Sequence, residues 1–103
     1  MMKVYLSGPI TGTSDYVDRF GFAEEKVYQM FGNDVRVVNP VKIAQQLPED
    51  ISYEGIMRIC FEALKACDVI LLMPGWETSR GCNQEYGYAL GIGKGVVKWE
   101  EWF

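Results

Sequence analysis

Apolar residues recur along this chain in two rhythms, and the change from one to the other predicts the elements. Lys3–Leu6 is a short β-rich run closed by Ser7-Gly8-Pro9. From Asp15 to Phe31, the residues Tyr16, Phe20, Ala23, Val27 and Met30 recur at alternating steps of four and three. That spacing predicts a helix with one buried face, and Gly32-Asn33 stops it. Asp34–Val38 reads as a second strand, ended by Asn39-Pro40, and Val41–Leu47 as a short helix before Pro48. The clearest helix spans Ser52–Ala66, with Tyr53, Ile56, Met57, Cys60, Leu64 and Cys67 on one apolar stripe. Asp68–Met73 is almost continuously apolar, as in a strand whose sheet is covered on both faces. Pro74–Ser79 is a loop. Arg80–Ile92 is a helix that turns Tyr86, Ala89, Leu90 and Gly93 inward. Gly93–Lys98 supplies a last strand, and Trp99–Phe103 is an aromatic tail.

Strands that alternate with helices predict an α/β fold with a parallel sheet. Right-handed crossovers and about four strands suggest the order 2-1-3-4, a small flavodoxin-like, three-layer layout. No repeat or linker divides residues 1–103, so one domain is expected. In such sheets ligands bind beyond the carboxyl ends of the strands. Those ends are Ser7-Gly8-Pro9, Asn39-Pro40 and Pro74-Gly75-Trp76.

Composition narrows the classes. A chain of 103 residues, 49% of them hydrophobic, can build a core without disulfides or metal. A net charge of −4 argues against a nucleic-acid polymer as partner, because phosphate backbones demand an excess of Lys and Arg. One local site can still hold a single nucleotide. There is no histidine, so the usual imidazole base and commonest zinc ligand are missing. The three cysteines, Cys60, Cys67 and Cys82, form no CxxC pair and read as buried thiols of a reducing compartment. Neither a signal peptide nor a long apolar span is seen, so a cytoplasmic protein without membrane contact is expected.

Three clusters could carry chemistry. Ser7-Gly8-Pro9-Ile10-Thr11-Gly12 joins a strand to a helix, and is either a ligand loop with close backbone approach or an ordinary turn. Pro74–Gly81 follows the most buried strand and opens a helix. There Ser79 is a candidate N-cap, the helix start attracts anions, and Trp76 either stacks on a base or covers the sheet edge. Glu85 borders the apolar face of that helix; it is either a surface carboxylate or, aimed at the pocket, a glycosidic nucleophile. Gly91-Ile92-Gly93-Lys94-Gly95 follows a helix rather than a strand, so it reads as a cap and turn, not a phosphate loop.

With these residues in hand, the chain resembles the nucleoside 2-deoxyribosyltransferase-like superfamily, in particular its small, often phage- or prophage-encoded DUF4406 members. The matching pieces are KVYLSGPITG at Lys3–Gly12, RVVNP at Arg36–Pro40 and ACDVILLMPGWETSRGCNQEYGYALGIGKGV at Ala66–Val96. The resemblance implies the flavodoxin-like fold and N-glycosidic chemistry on a nucleoside or its 5′-monophosphate, in a bacterial or phage-infected cell. It implies Glu85 as nucleophile, attacking the anomeric carbon before a base or water completes the reaction. Ser79 matches a phosphate-binding serine, and Ser7, Gly8 and Pro9 match the first pocket loop. Asn39, Met57 and Trp76 complete the expected lining. The resemblance implies no metal or organic cofactor, and a homodimer or higher homo-oligomer whose neighbouring subunits complete the pocket.

One position departs from that pattern. Where family enzymes carry an aspartate that assists the leaving base, this chain has Cys60. A thiol is a poorer proton donor than a carboxylic acid of raised pKa. Tyr5, Tyr53 and Glu77 are possible substitutes, and Asp68 is expected to serve structure at the far end of its strand. The departure keeps two other readings open: a nucleotide-binding or sensing module without turnover, and an interaction protein built on the aromatic tail.

Overall fold

Side chains of the first strand alternate between two cores. In β1 (Met2–Ser7), Val4 and Leu6 point to one face of the sheet and Tyr5 and Ser7 to the other, and all four are fully buried. A strand buried on both faces lies in the middle of its sheet, as β1 does. The computed structural model describes residues 1–103. Its four strands run parallel in the order β2-β1-β3-β4, with β2 at Val35–Val38, β3 at Val69–Leu72 and β4 at Gly95–Lys98. Tyr5 stands beside Val38 on one neighbour and Ile70 on the other, and Ser7 stands beside Leu72. This is the order expected from the sequence.

The helix α1 (Tyr16–Phe31) covers the first face. Its Phe20, Ala23 and Val27 are buried with Val4, Leu6, Leu71 and Met73. The second face is covered by α3 (Tyr53–Lys65) and α4 (Arg80–Gly91), which bury Cys60, Leu64 and Ala89 against Tyr5, Ile70 and Leu72. Fully burying a side chain such as Leu64 contributes about 1.5–3 kcal/mol.

Local chemistry fixes where the helices begin. Asn39 accepts a hydrogen bond from the Val41 N–H at 3.0 Å and precedes Pro40, whose fixed φ suits the first position of α2 (Pro40–Ala44). Ser52 caps α3 by accepting from the Gly55 N–H at 3.0 Å. Ser79 caps α4 by accepting from the Cys82 N–H at 3.3 Å. Such caps each contribute about 1 kcal/mol. At the amino end of the sheet, Asp68 accepts a hydrogen bond from the Lys3 N–H at 2.8 Å, tying the start of β1 to that of β3. This is the structural role expected for it.

Four stripe assignments need correction. Met30, Leu90 and Tyr53 are exposed. In α1 the buried steps run 20-23-27 and the next inward place falls to Phe31, which packs on Trp102. In α4 they run 82-85-89, which leaves Leu90 about 100° round the helix from Ala89. Gly93 ends α4 at φ 76° rather than facing inward within it. The tail folds as a fifth helix, α5 (Trp99–Trp102), whose Trp99 and Trp102 pack on the α1 side of the chain's own core. No helix is long and apolar enough to cross a membrane.

Candidate active site

The second face of β1 carries two hydroxyls toward one carboxylate. Because side chains alternate along a strand, Tyr5 and Ser7 lie side by side on the surface that α4 covers. Glu85 lies on the buried stripe of α4, between Cys82 and Ala89, and meets both. The Tyr5 hydroxyl donates to Glu85 Oε2, and Ser7 Oγ donates to Oε1 at 2.8 Å. Glu85 is 7% exposed and Tyr5 and Ser7 are fully buried.

Burial pushes the Glu85 carboxyl above its ordinary range, and the hydrogen bonds from Tyr5 and Ser7 pull it part of the way back. Burial also raises the Tyr5 phenol far above its ordinary value, helped by the neighbouring Glu85 charge. Two thiols flank the pair. Cys60 lies against the Tyr5 hydroxyl, and Cys82 lies by the hydroxyls of Ser7 and Ser79. Burial raises both thiols, and the Glu85 charge adds to it. Neither is a ready proton donor.

The loops at the mouth are packed against each other. A Cβ on Gly8 would lie 2.9 Å from Met73 Sδ, and one on Gly75 would lie 3.2 Å from the Pro9 ring. Gly75 also has φ +87°, a conformation that favours glycine. One side chain clamps each loop. Arg19 donates to the Pro9 carbonyl at 2.7 Å, to Thr13 Oγ1 at 2.9 Å and to Asp15 at 2.9 Å. Asn83 Nδ2 faces the carbonyls of Trp76, Glu77 and Ser79 at 3.3, 3.0 and 2.8 Å.

The expected residues therefore separate. Ser7, Cys60 and Glu85 come together, with Met57 buried one turn above Cys60. Gly8 and Pro9 lie beside them but are spent on loop packing. Asn39 is occupied by the α2 cap and by a 3.2 Å bond to Glu24. Trp76 is half-buried against the core of the second face and packs edge-on against Tyr86, with centroids 5.2 Å apart. Ser79 is the α4 cap. Of the substitutes for the missing aspartate, only Tyr5 is bonded to Glu85; Tyr53 bonds Gln84 instead. Cys82, Arg19 and Asn83 were not anticipated. The three-four rhythm of α4 could have found Cys82, but the two clamps bond mainly backbone carbonyls, which leave no mark in sequence.

The arrangement offers a buried carboxylate oriented by two donors. Each carboxylate oxygen keeps a second lone pair for an electrophile. Two surface grooves lie elsewhere. One, of about 450 Å³, is lined by Asp18, Arg19, Phe22, Met73, Pro74 and Trp99 on the α1 side. The other, of about 340 Å³, runs along β2.

Comparison with known proteins agrees with this fold. The model of the family described as "Domain of unknown function (DUF4406)" matches residues 2–98. No curated protein sequence matches the chain. Among solved structures, a 2-deoxyribosyltransferase from Leishmania mexicana superposes with a TM-score of 0.71 at 21% identity, over 95% of this chain and 63% of that one. A 2-deoxyribosyltransferase from Bacillus psychrosaccharolyticus superposes with a TM-score of 0.73 at 20% identity, over 93% of this chain and 70% of that one. The present chain thus spans less than two thirds of the Leishmania protein.

Proposed function

This chain belongs to the DUF4406 family, and from that premise we propose that it binds a nucleoside or its 5′-monophosphate at the strand ends and cleaves or transfers the N-glycosidic bond, with Glu85 as nucleophile. The observation that carries the reading is the Glu85 carboxylate, buried at the carboxyl end of β1 and hydrogen-bonded by Tyr5 and Ser7. A purely structural glutamate would rarely be buried there at the cost of desolvating its charge. The shared fold with two 2-deoxyribosyltransferases supports the substrate class.

The reaction has two steps. A Glu85 oxygen attacks C1′, forming a glycosyl ester, while the C1′–N bond breaks and its electron pair leaves with the base. The departing base takes a proton from solvent, and the attacking water or base later returns one to solvent. Water or a second base then attacks C1′, and the ester bond returns its electrons to Glu85. The Tyr5 and Ser7 donors hold the carboxylate in place in both steps.

One observation favours a second reading. No other carboxylate acts on Glu85, and the thiol in the expected acid's place is pushed up by burial. Glycosidases normally use two carboxyl groups. A site without its acid would bind and turn over slowly, as a nucleotide-sensing module.

Incubation with deoxynucleosides and their 5′-monophosphates, with free base followed by chromatography, tests both. Base release by the wild-type protein and its loss in Glu85→Gln are expected. Release that survives in Glu85→Gln overturns the nucleophile. Binding of a nucleotide without any release selects the second reading, and neither binding nor release rejects both.

A further inference from the structure

Glu85 has little surface of its own. It is 7% exposed, and its neighbours Cys60 and Met57 are 6% and 9% exposed. Neither of the two grooves described above is lined by it. If Glu85 meets a ligand, some part of the wall moves, and the bonding pattern marks which part.

The two ends of α3 are held differently. Its lower half is anchored: Leu64 is fully buried, Cys67 just beyond it is 1% exposed, and Phe61 stacks on Tyr88 of α4 at 4.7 Å. Its first turn lies at the mouth and is held by Tyr53. The Tyr53 hydroxyl donates to Gln84 Oε1 at 2.9 Å, the one side-chain hydrogen bond between α3 and α4. The Arg80 guanidinium sits over the Tyr53 ring, 5.1 Å from its centroid. All three residues are exposed, so water competes for each contact. The chain that feeds α3, Gln45–Ile51, makes only local backbone bonds and no side-chain bond to the rest of the protein. Met57 and Cys60 follow Tyr53 down the same helix toward Tyr5 and Glu85.

We propose that Tyr53 is a gate: its contacts with Gln84 and Arg80 hold the first turns of α3 against α4, and their release swings that end outward and opens the path to Glu85. The proposal rests on the reading of Glu85 as the group that meets the ligand. Its test needs no substrate, so the gate and the chemistry can fail separately.

The three free cysteines supply the readout. Cys60 and Cys82 flank Glu85, whereas Cys67 lies at the opposite end of the sheet, where Asp68 meets Lys3. Local opening exposes the first two, and global unfolding exposes all three. The experiment is labelling of the native protein by a thiol reagent at fixed pH, with each cysteine followed by peptide mass spectrometry and normalised to its rate in denaturant. In wild type, Cys60 and Cys82 are expected to label faster than Cys67. Tyr53→Phe, which removes only the hydroxyl, is expected to speed those two about 2- to 10-fold and leave Cys67 unchanged. Gln84→Ala, which removes the acceptor instead, is expected to do the same. One common rate for all three thiols in wild type, an equal rise at all three in the variants, or no change at Cys60 and Cys82 overturns the gate.

Discussion

The Tyr5 hydroxyl and the Glu85 carboxylate, 80 residues apart in sequence, share a buried hydrogen bond. Burial opposes the ionisation of Glu85, and this bond favours it. Tyr5→Phe keeps the ring and removes the donor. A hydrogen bond to a charged acceptor contributes about 1.5–3 kcal/mol, so Glu85 is expected to titrate higher in the variant than in wild type. Carboxyl carbon chemical shifts followed against pH measure this directly. An unchanged midpoint would mean that Ser7 alone holds the charge.

Stability and chemistry should pull in opposite directions with pH. Glu85 titrates above its unfolded value of about 4.3. Between the two values the folded chain holds the extra proton, so stability from this group falls as pH rises through the window and is flat above it. Glu85→Gln cannot titrate. The stability of wild type relative to Glu85→Gln, from urea unfolding at a series of pH values, should therefore decline across that window. Base release needs the ionised carboxylate and should rise across the same window. A stability difference that does not vary with pH would contradict the buried carboxylate described above.

Gly8 is expected to matter through Met73. Gly8→Ala places a methyl 2.9 Å from Met73 Sδ and 3.2 Å from its Cβ, and should destabilise the fold by about 1–3 kcal/mol. Met73→Ala removes a buried side chain at a cost of about 2–5 kcal/mol. It also removes the sulfur that the new methyl meets, so the double variant should be more stable than the sum of the two costs by about 0.5–3 kcal/mol. Chemical denaturation of the four proteins closes this cycle, and strict additivity would show that the two loops do not touch in solution.

The sheet order was legible because each strand run is bounded by turn residues and each helix by its own rhythm. Ser7 and Glu85 were joined at one pocket by the family resemblance, which also placed Cys60 there; the apolar rhythm alone turned Cys60 inward and left Glu85 at the border of its stripe. What the sequence concealed are relations that depend on distance through space. Asn39 looks like a pocket residue in the string Asn39-Pro40, yet its amide is consumed by the cap it makes. Arg19 reads as an ordinary surface cation, but three acceptors converge on it. Leu90 misled because it is apolar and lies beside the buried stripe rather than on it. The aromatic tail left open whether it covers its own domain or another; Trp102 meets Phe31 at 4.9 Å, within the chain.

The placing of β1 at the centre of the sheet also bears on how the molecule comes into being. β1 precedes the other strands of its sheet, yet one of its neighbours, β3, and the acceptor of its two hydroxyls, Glu85, lie more than 60 residues later. Long-range parallel pairings of this kind form slowly. Until α4 docks, Tyr5 and Ser7 have no carboxylate to bond. A nascent chain that ends before Glu85 lacks that acceptor. The two bonds that hold the proposed nucleophile therefore form only once the fourth helix has been made.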